Sequence, residues 1–152
     1  TAPTELDLVL EDVLTQLRLP DDVTLIRQSE PDLPPVLATP QLAEVFHHLV
    51  RNALDAMTAT EEKRLAVTAR RHSDGQVEVS IQDSGPGVPD HLRADLFRLG
   101  VTDKRNGLGY GLWWSRLYLA RIGGSLEMDP SVRQGARFVV RLRTATDEGQ
   151  QG

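Results

Sequence analysis

Five residues, Asp83-Ser84-Gly85-Pro86-Gly87, set an acidic group against backbone with little cover. The residues before them give that group its direction. Val77, Val79 and Ile81 alternate with Glu78 and Ser80, the period of a half-buried strand. Asp83 keeps the parity of the apolar set, so a continued strand turns its carboxylate toward the core. A buried carboxylate is costly unless it is paired or hydrogen-bonded. Gly85 and Gly87 let a ligand approach the backbone closely. An inward carboxylate beside bare backbone suits a flat, donor-bearing group such as the amino edge of adenine. A strand that simply ends in an Asp-Gly-rich turn fits the same five residues.

A second glycine cluster, Gly107-Leu108-Gly109-Tyr110-Gly111, follows Thr102, Lys104 and Arg105. It opens a helix-like run through Leu112, Leu117, Leu119 and Ile122, closed by Gly123-Gly124. Glycines at a helix start expose N–H groups and the positive end of the helix dipole, which suits phosphate. Lys104 and Arg105 add positive charge. A flexible loop before a helix has the same composition.

The third piece lies upstream. Pro40 marks a helix start, and Leu42, Val45, Phe46, Leu49, Val50, Ala53, Leu54 and Met57 form one apolar stripe. His48, Asn52 and Asp55 stand four and three apart and share a neighbouring face. Asn52 sits at the margin of the stripe, where an amide oxygen can meet a hard cation. A solvated helix asparagine is the plainer reading of that residue alone.

Together the pieces resemble the catalytic domain of histidine kinases, within the superfamily that also holds gyrase, the heat-shock chaperone and the mismatch-repair ATPase (GHKL). The run from His48 through Asn52 and Asp55 to Met57 resembles the N box. Asp83 to Gly87 resembles the first glycine box, DxGxG, and Gly107 to Leu112 the second. Leu96-Phe97 through Lys104 resembles the F box and ATP lid. Order and spacing agree from about residue 5 to residue 143.

The resemblance implies an α/β fold: a two-layer sandwich, mixed β-sheet with helices on one face (the Bergerat ATP-binding fold). It implies ATP and Mg2+ as ligands. Asp83 would accept a hydrogen bond from the adenine amino group, favouring ATP over GTP, with the base against Gly85 and Gly87. Asn52 would hold the magnesium, with Asp55 nearby in the nucleotide site. Gly107, Gly109 and Gly111 would offer amides to phosphate, with Leu108 and Leu112 in the same box. Thr102 and Lys104 fall in the lid, about residues 98–109, which is expected to order around nucleotide; Lys104 would neutralise phosphate charge. His48, Asn52 and Lys104 are the candidate catalytic residues.

Departures from the family pattern are Gly100, where a second aromatic is usual, Leu108, where Thr is frequent, and Ala136, where a Thr often follows the hairpin glycine. Hydrolysing members place a Glu general base one turn before the Asn; here that place is His48. The expected reaction is therefore phosphoryl transfer to a protein acceptor. His48 also fits a plain amphipathic surface position.

The chain has 152 residues, net charge −5 and no cysteine. That fits one domain, argues against a nucleic-acid surface, and leaves no disulfide or thiolate metal site. There is no run of eighteen apolar residues and no signal-like start, so a cytoplasmic location is expected, within a parent protein that can itself be membrane-anchored. The spacing predicts helices over 5–18, 40–58, 90–97 and 110–122. It predicts strands over 23–28, 64–72, 76–83, 124–129 and 135–143, and a short extended piece at 36–38. Arg137, Arg141 and Arg143 are expected on an exposed face. Residues 1–143 are expected to form the ATP-binding domain and 144–152 a disordered polar tail.

Kinases of this family phosphorylate a histidine on a preceding helical hairpin. His47, His48, His72 and His91 do not stand in that context. The expected partners are therefore the phosphoacceptor hairpin of the same parent protein and, downstream, a response regulator, with no nucleic acid and no direct membrane contact. The alternatives are an anti-sigma-type serine kinase, a GHKL ATPase, and a scaffold without turnover.

Overall fold

Two hydrophobic periods, 3.6 and 2, meet in one core. The computed structural model describes residues 1–98 and 109–145. Its helices are α1 (Leu6–Leu17), α2 (Leu42–Ala56), α3 (Asp90–Arg93) and α4 (Gly109–Arg121). Its strands are β1 (Ala2–Thr4), β2 (Val23–Ser29), β3 (Val36–Ala38), β4 (Lys63–His72), β5 (Gln76–Asp83), β6 (Ser125–Met128) and β7 (Arg137–Arg143). Five strands form a mixed sheet in the order β2-β4-β5-β7-β6, parallel only between β2 and β4. The α2 stripe of Leu42, Val45, Phe46, Leu49, Val50 and Ala53 is buried against Leu65, Val67, Val79, Ile81, Val140 and Leu142. Leu6, Leu10 and Val13 of α1, and Leu112 and Leu119 of α4, complete that core. This is the expected two-layer sandwich, with the helices on one face.

Several boundaries differ from the expectation. Strand β1, with only three residues including Pro3, was not expected; it pairs antiparallel with β3. Helix α2 starts at Leu42, after a turn in which Leu42 N donates to Thr39 O. The expected helix over 90–97 stops at Arg93 and continues as turns. The expected tail begins with tied residues. Thr144 is buried, its hydroxyl donates to Gly75 O at 2.8 Å, and Ala145 N donates to Pro35 O at 2.9 Å. Residues 146–152 lie outside the described residues.

The largest correction concerns β5, which is buried on both faces. Glu78 is 4% exposed and Ser80 equally so. As the central strand, β5 is flanked by β4 and β7, whose long side chains lie across its outer face. Arg70 Nε donates to Glu78 at 2.6 Å, and Arg141 reaches the other carboxylate oxygen at 3.5 Å. Ser80 shares a hydrogen bond with Thr68. Arg137 pairs with Asp129 at 2.8 Å. The arginine row of β7 is thus a partly covered ionic lattice, and not simply an exposed face. Alternation in sequence cannot separate a polar residue covered by its neighbours from a solvated one.

Burial pushes the Glu78 carboxyl up, but the hydrogen bond from Arg70 and the charges of Arg70, Arg137 and Arg141 outweigh it and hold the group below its usual range. A carboxylate depressed on folding stabilises above its ordinary pKa of about 4.3 and loses that contribution as pH falls. Glu78→Gln should therefore cost about 1–3 kcal/mol at pH 7, a buried-pair loss discounted for the partly exposed arginines. Urea unfolding should show the gap to wild type shrinking by pH 3. An equal gap at both pH values would contradict this account.

Candidate functional site

Helix α2 is the wall that both glycine segments touch. At its C-terminal end, a Cβ on Gly85 would lie 2.8 Å from Ala56 O and 3.0 Å from Asp83 Oδ1. Toward its middle, a Cβ on Gly111 would lie 2.8 Å from His48 Nδ1. Gly85 therefore puts backbone where a side chain would strike backbone, and Gly111 where one would displace the His48 ring. The wall is anchored to α4 by Tyr118, whose hydroxyl accepts from Thr39 N at 3.1 Å and lies 2.7 Å from Thr39 Oγ1. Tyr118 stacks on Trp114, and Trp114 meets the His48 ring edge-on at 5.8 Å.

Asp83 ends β5 on the buried parity and is 6% exposed. Its Oδ1 accepts from Gly85 N at 2.9 Å, so the loop's own backbone orients the carboxylate. Ser84 locks the same corner: its hydroxyl donates to Glu62 O at 2.6 Å and accepts from Arg64 N at 2.8 Å. Asp83 N donates to Ala136 O at 3.0 Å. Ala136, where the family often has a hydroxyl, is therefore a direct backbone neighbour of the acid. Gly87 has φ +87 and lies against the carbonyls of Gly135 and Arg133.

Asn52 is buried, 7% exposed, on α2 between the two glycine contacts. Asp55 follows it by one turn and is half-buried. His48 is half-buried. Burial lowers its pKa, as do His47 and Arg51, against an opposing pull from Glu44. The net effect favours the neutral imidazole. Gly109, Gly111 and Leu112 lie in the first turn of α4, where helix N–H groups lack intrahelical partners. The Leu112 side chain is buried in the core, which leaves only its backbone for a ligand. Thr102, Lys104, Gly107 and Leu108, with Gly100 and most of the expected lid, lie outside the described residues. Leu96 and Phe97 are within them. Phe97 packs edge-on against Phe138, and the Arg116 guanidinium stands 4.5 Å over its ring.

Sequence reasoning passed over Gly135 as a site residue. It has φ +81, and a Cβ there would fall 2.0 Å from Asp83 O. A lone glycine before β7 was its only signal. Ser84 was read as part of a box, with no role of its own. Among the described residues, no three His, Asp or Glu side chains converge as a metal cage. The donor chemistry fits a magnesium ion that takes one or two protein oxygens and completes its shell from phosphate and water. Among the described residues, no helix is long and apolar enough to cross a membrane.

The two-layer fold, with a buried acid and two glycine segments on one helix, is that of an ATPase-type catalytic domain. The chain belongs to the family of histidine kinase-, DNA gyrase B-, and HSP90-like ATPases, whose family model matches residues 38–146. It is 34% identical over 107 residues to the sensor protein FixL of Bradyrhizobium diazoefficiens, covering 70% of this chain and 21% of FixL. It is 33% identical over 123 residues to the sensory histidine kinase/phosphatase NtrB of Salmonella typhimurium, covering 75% of this chain and 35% of NtrB. The chain thus spans about a fifth to a third of the curated relatives it matches. Among solved structures, full-length ShkA in complex with AMPPNP superposes with a TM-score of 0.77 at 28% identity, over 95% of this chain and 31% of that chain.

Gly135→Ala should be among the most damaging single-methyl changes in the chain. It strains a left-handed φ and overlaps a backbone oxygen that cannot swing away. A loss of about 3 kcal/mol is expected. Gly87→Ala has similar strain but a nearest contact of 3.1 Å, so it should cost about half as much. Urea denaturation of both variants checks this; equal losses would contradict the steric argument.

Proposed function

We propose that this chain is the ATP-binding catalytic domain of a sensor histidine kinase, and that it passes the ATP γ-phosphoryl group to a histidine on a separate helical hairpin of its parent protein. One observation carries the reading. The two glycine segments back onto α2 at His48 and Ala56, with Asn52 midway between them. Those contacts are eight residues apart, about 12 Å along a helix, a length suited to a nucleotide laid along the wall. The base end is then Asp83, Gly85 and Gly87, and the phosphate end is Gly109, Gly111 and the Leu112 amide. Asn52, with Asp55 beside it, lies between them.

On this reading Asp83 accepts from the adenine amino group. Its orientation by Gly85 N is made before ligand arrives, so little reorganisation is needed. GTP presents an oxygen there, and two acceptors repel. Asn52 would hold Mg2+, which when bound offsets phosphate charge. Thr102, Lys104, Gly107 and Leu108 would close over the phosphates from the second glycine box and lid. His48, whose burial favours the neutral ring, is suited to orienting a phosphate oxygen or water. It lacks the carboxylate of a strong general base. The phosphorus–oxygen bond to ADP breaks as a phosphorus–nitrogen bond to the acceptor histidine forms. Positioning supplies much of the rate in such transfers. A response regulator is the next acceptor in this scheme. The domain is assigned to residues 1–143, closed by the tied Thr144 and Ala145, and its location to the cytoplasm.

Calorimetry should show magnesium-dependent binding of ATP and none of GTP at the same concentration. Asp83→Asn should weaken ATP binding by on the order of 2 kcal/mol, the scale of a buried charged hydrogen bond. Equal binding of GTP, or unchanged binding by Asp83→Asn, would overturn the base assignment.

The chain alone should hydrolyse ATP far more slowly than the ~10 per second typical of enzymes. Added phosphoacceptor hairpin of the parent protein should become labelled on histidine from γ-labelled ATP. Asn52→Ala should abolish that labelling. Fast hydrolysis by the chain alone would favour an ATPase, and labelling of serine on an added partner would favour a serine kinase.

A further inference from the structure

Arg93 joins two separate backbone strips through one side chain. It lies on the short helix α3, and its side chain is 18% exposed. Its Nε donates to Val88 O at 3.3 Å and its Nη2 to Val132 O at 3.4 Å. Val88 follows Gly87. Val132 lies in the β6–β7 turn, three residues before Gly135. Those two strips also touch directly, since Gly87 lies against the carbonyls of Arg133 and Gly135, and Gly135 against Asp83 O. One guanidinium thus spans the glycine loop and the turn that backs the acid. Asp90 Oδ1 stands 3.5 Å from Arg93 and 3.8 Å from Arg133, but its side chain is 89% exposed, so that pair contributes little.

We propose that Arg93 is a positioning residue for the base subsite, setting the spacing between Asp83–Val88 and the β6–β7 turn and so the affinity for the adenine end of the nucleotide. The inference rests on the nucleotide reading of the site. Arginine suits the task because its planar fork serves two carbonyls in fixed directions, while a lysine is a single point donor. Acting through backbone, Arg93 should affect any adenine ligand alike, whether or not it carries phosphate.

The test is calorimetry of the whole chain with Mg-ATP and with adenosine, for wild type, Arg93→Gln, Arg93→Lys and Asp83→Asn. Arg93→Gln should weaken ATP and adenosine by the same factor, on the order of fivefold for two lost hydrogen bonds. Arg93→Lys should recover part of it. Hydrogen exchange should quicken in Arg93→Gln at residues 85–88 and 131–136 and stay unchanged in β4. If Arg93→Gln does not fold, Arg93→Lys carries the same comparison. Loss of ATP affinity with adenosine unchanged would overturn the proposal, as would wild-type affinity for both. If Asp83→Asn still weakens ATP binding as expected, the nucleotide site stands and only the Arg93 inference falls. Wild-type protein that binds neither ligand would overturn both.

Discussion

Gly135 has no room for a β-carbon. One would fall 2.0 Å from Asp83 O, a separation that no relaxation of a side chain relieves, because the obstacle is backbone. This closeness fixes where the start of β7 meets the end of β5. Asp83 N donates to Ala136 O across the junction, Gly87 rests on the same turn, and Gly85 N turns back to hold the Asp83 carboxylate. A buried carboxylate costs several kcal/mol unless hydrogen bonds offset its lost hydration. The corner supplies one of these from the Gly85 backbone, which cannot rotate away. Loosening it would affect the orientation of the acid before it affected the sheet.

The two faces of the sheet solve different problems. The inner face is apolar and meets α1, α2 and α4. The outer face carries Glu78 and Ser80 at positions as buried as the core, with Glu78 under Arg70 and Arg141, and a half-buried Asp129 beside Arg137. Arginine stems cover apolar surface while their heads reach carboxylates. No second layer of helices is needed there. The helical layer is thereby confined to the side where α2 faces both glycine segments.

The layer order and the burial of Asp83 were legible in sequence because each rests on local pattern. The apolar set of Leu42, Val45, Phe46, Leu49 and Val50 has the period of a helix with one buried stripe, and all five are buried. Asp83 was placed inward by parity alone. Apart from the ends of α2 and α3, the failures share a cause: contacts far apart in sequence. Nothing near Glu78 announces Arg141, sixty-three residues on. Nothing near Gly135 announces Asp83. Strand β1 owes its existence to β3, thirty-odd residues away, and Thr144 was read as tail because its bond to Gly75 spans sixty-nine residues. The second glycine box shows the other limit, since only its end, from Gly109, falls among the described residues.

The two ends of the site are held by one helix, and a helix changes length only in whole residues. Removing one residue from α2 between His48 and Ala56 would shorten the wall by about 1.5 Å and turn one end about 100° against the other. Asn52 would then face a different neighbour, and either Gly85 or Gly111 would lose its seat. Substitution can tune this stretch, but insertion and deletion cannot. Variation in length has to be taken up in the connections outside it, such as the Pro31–Pro35 segment.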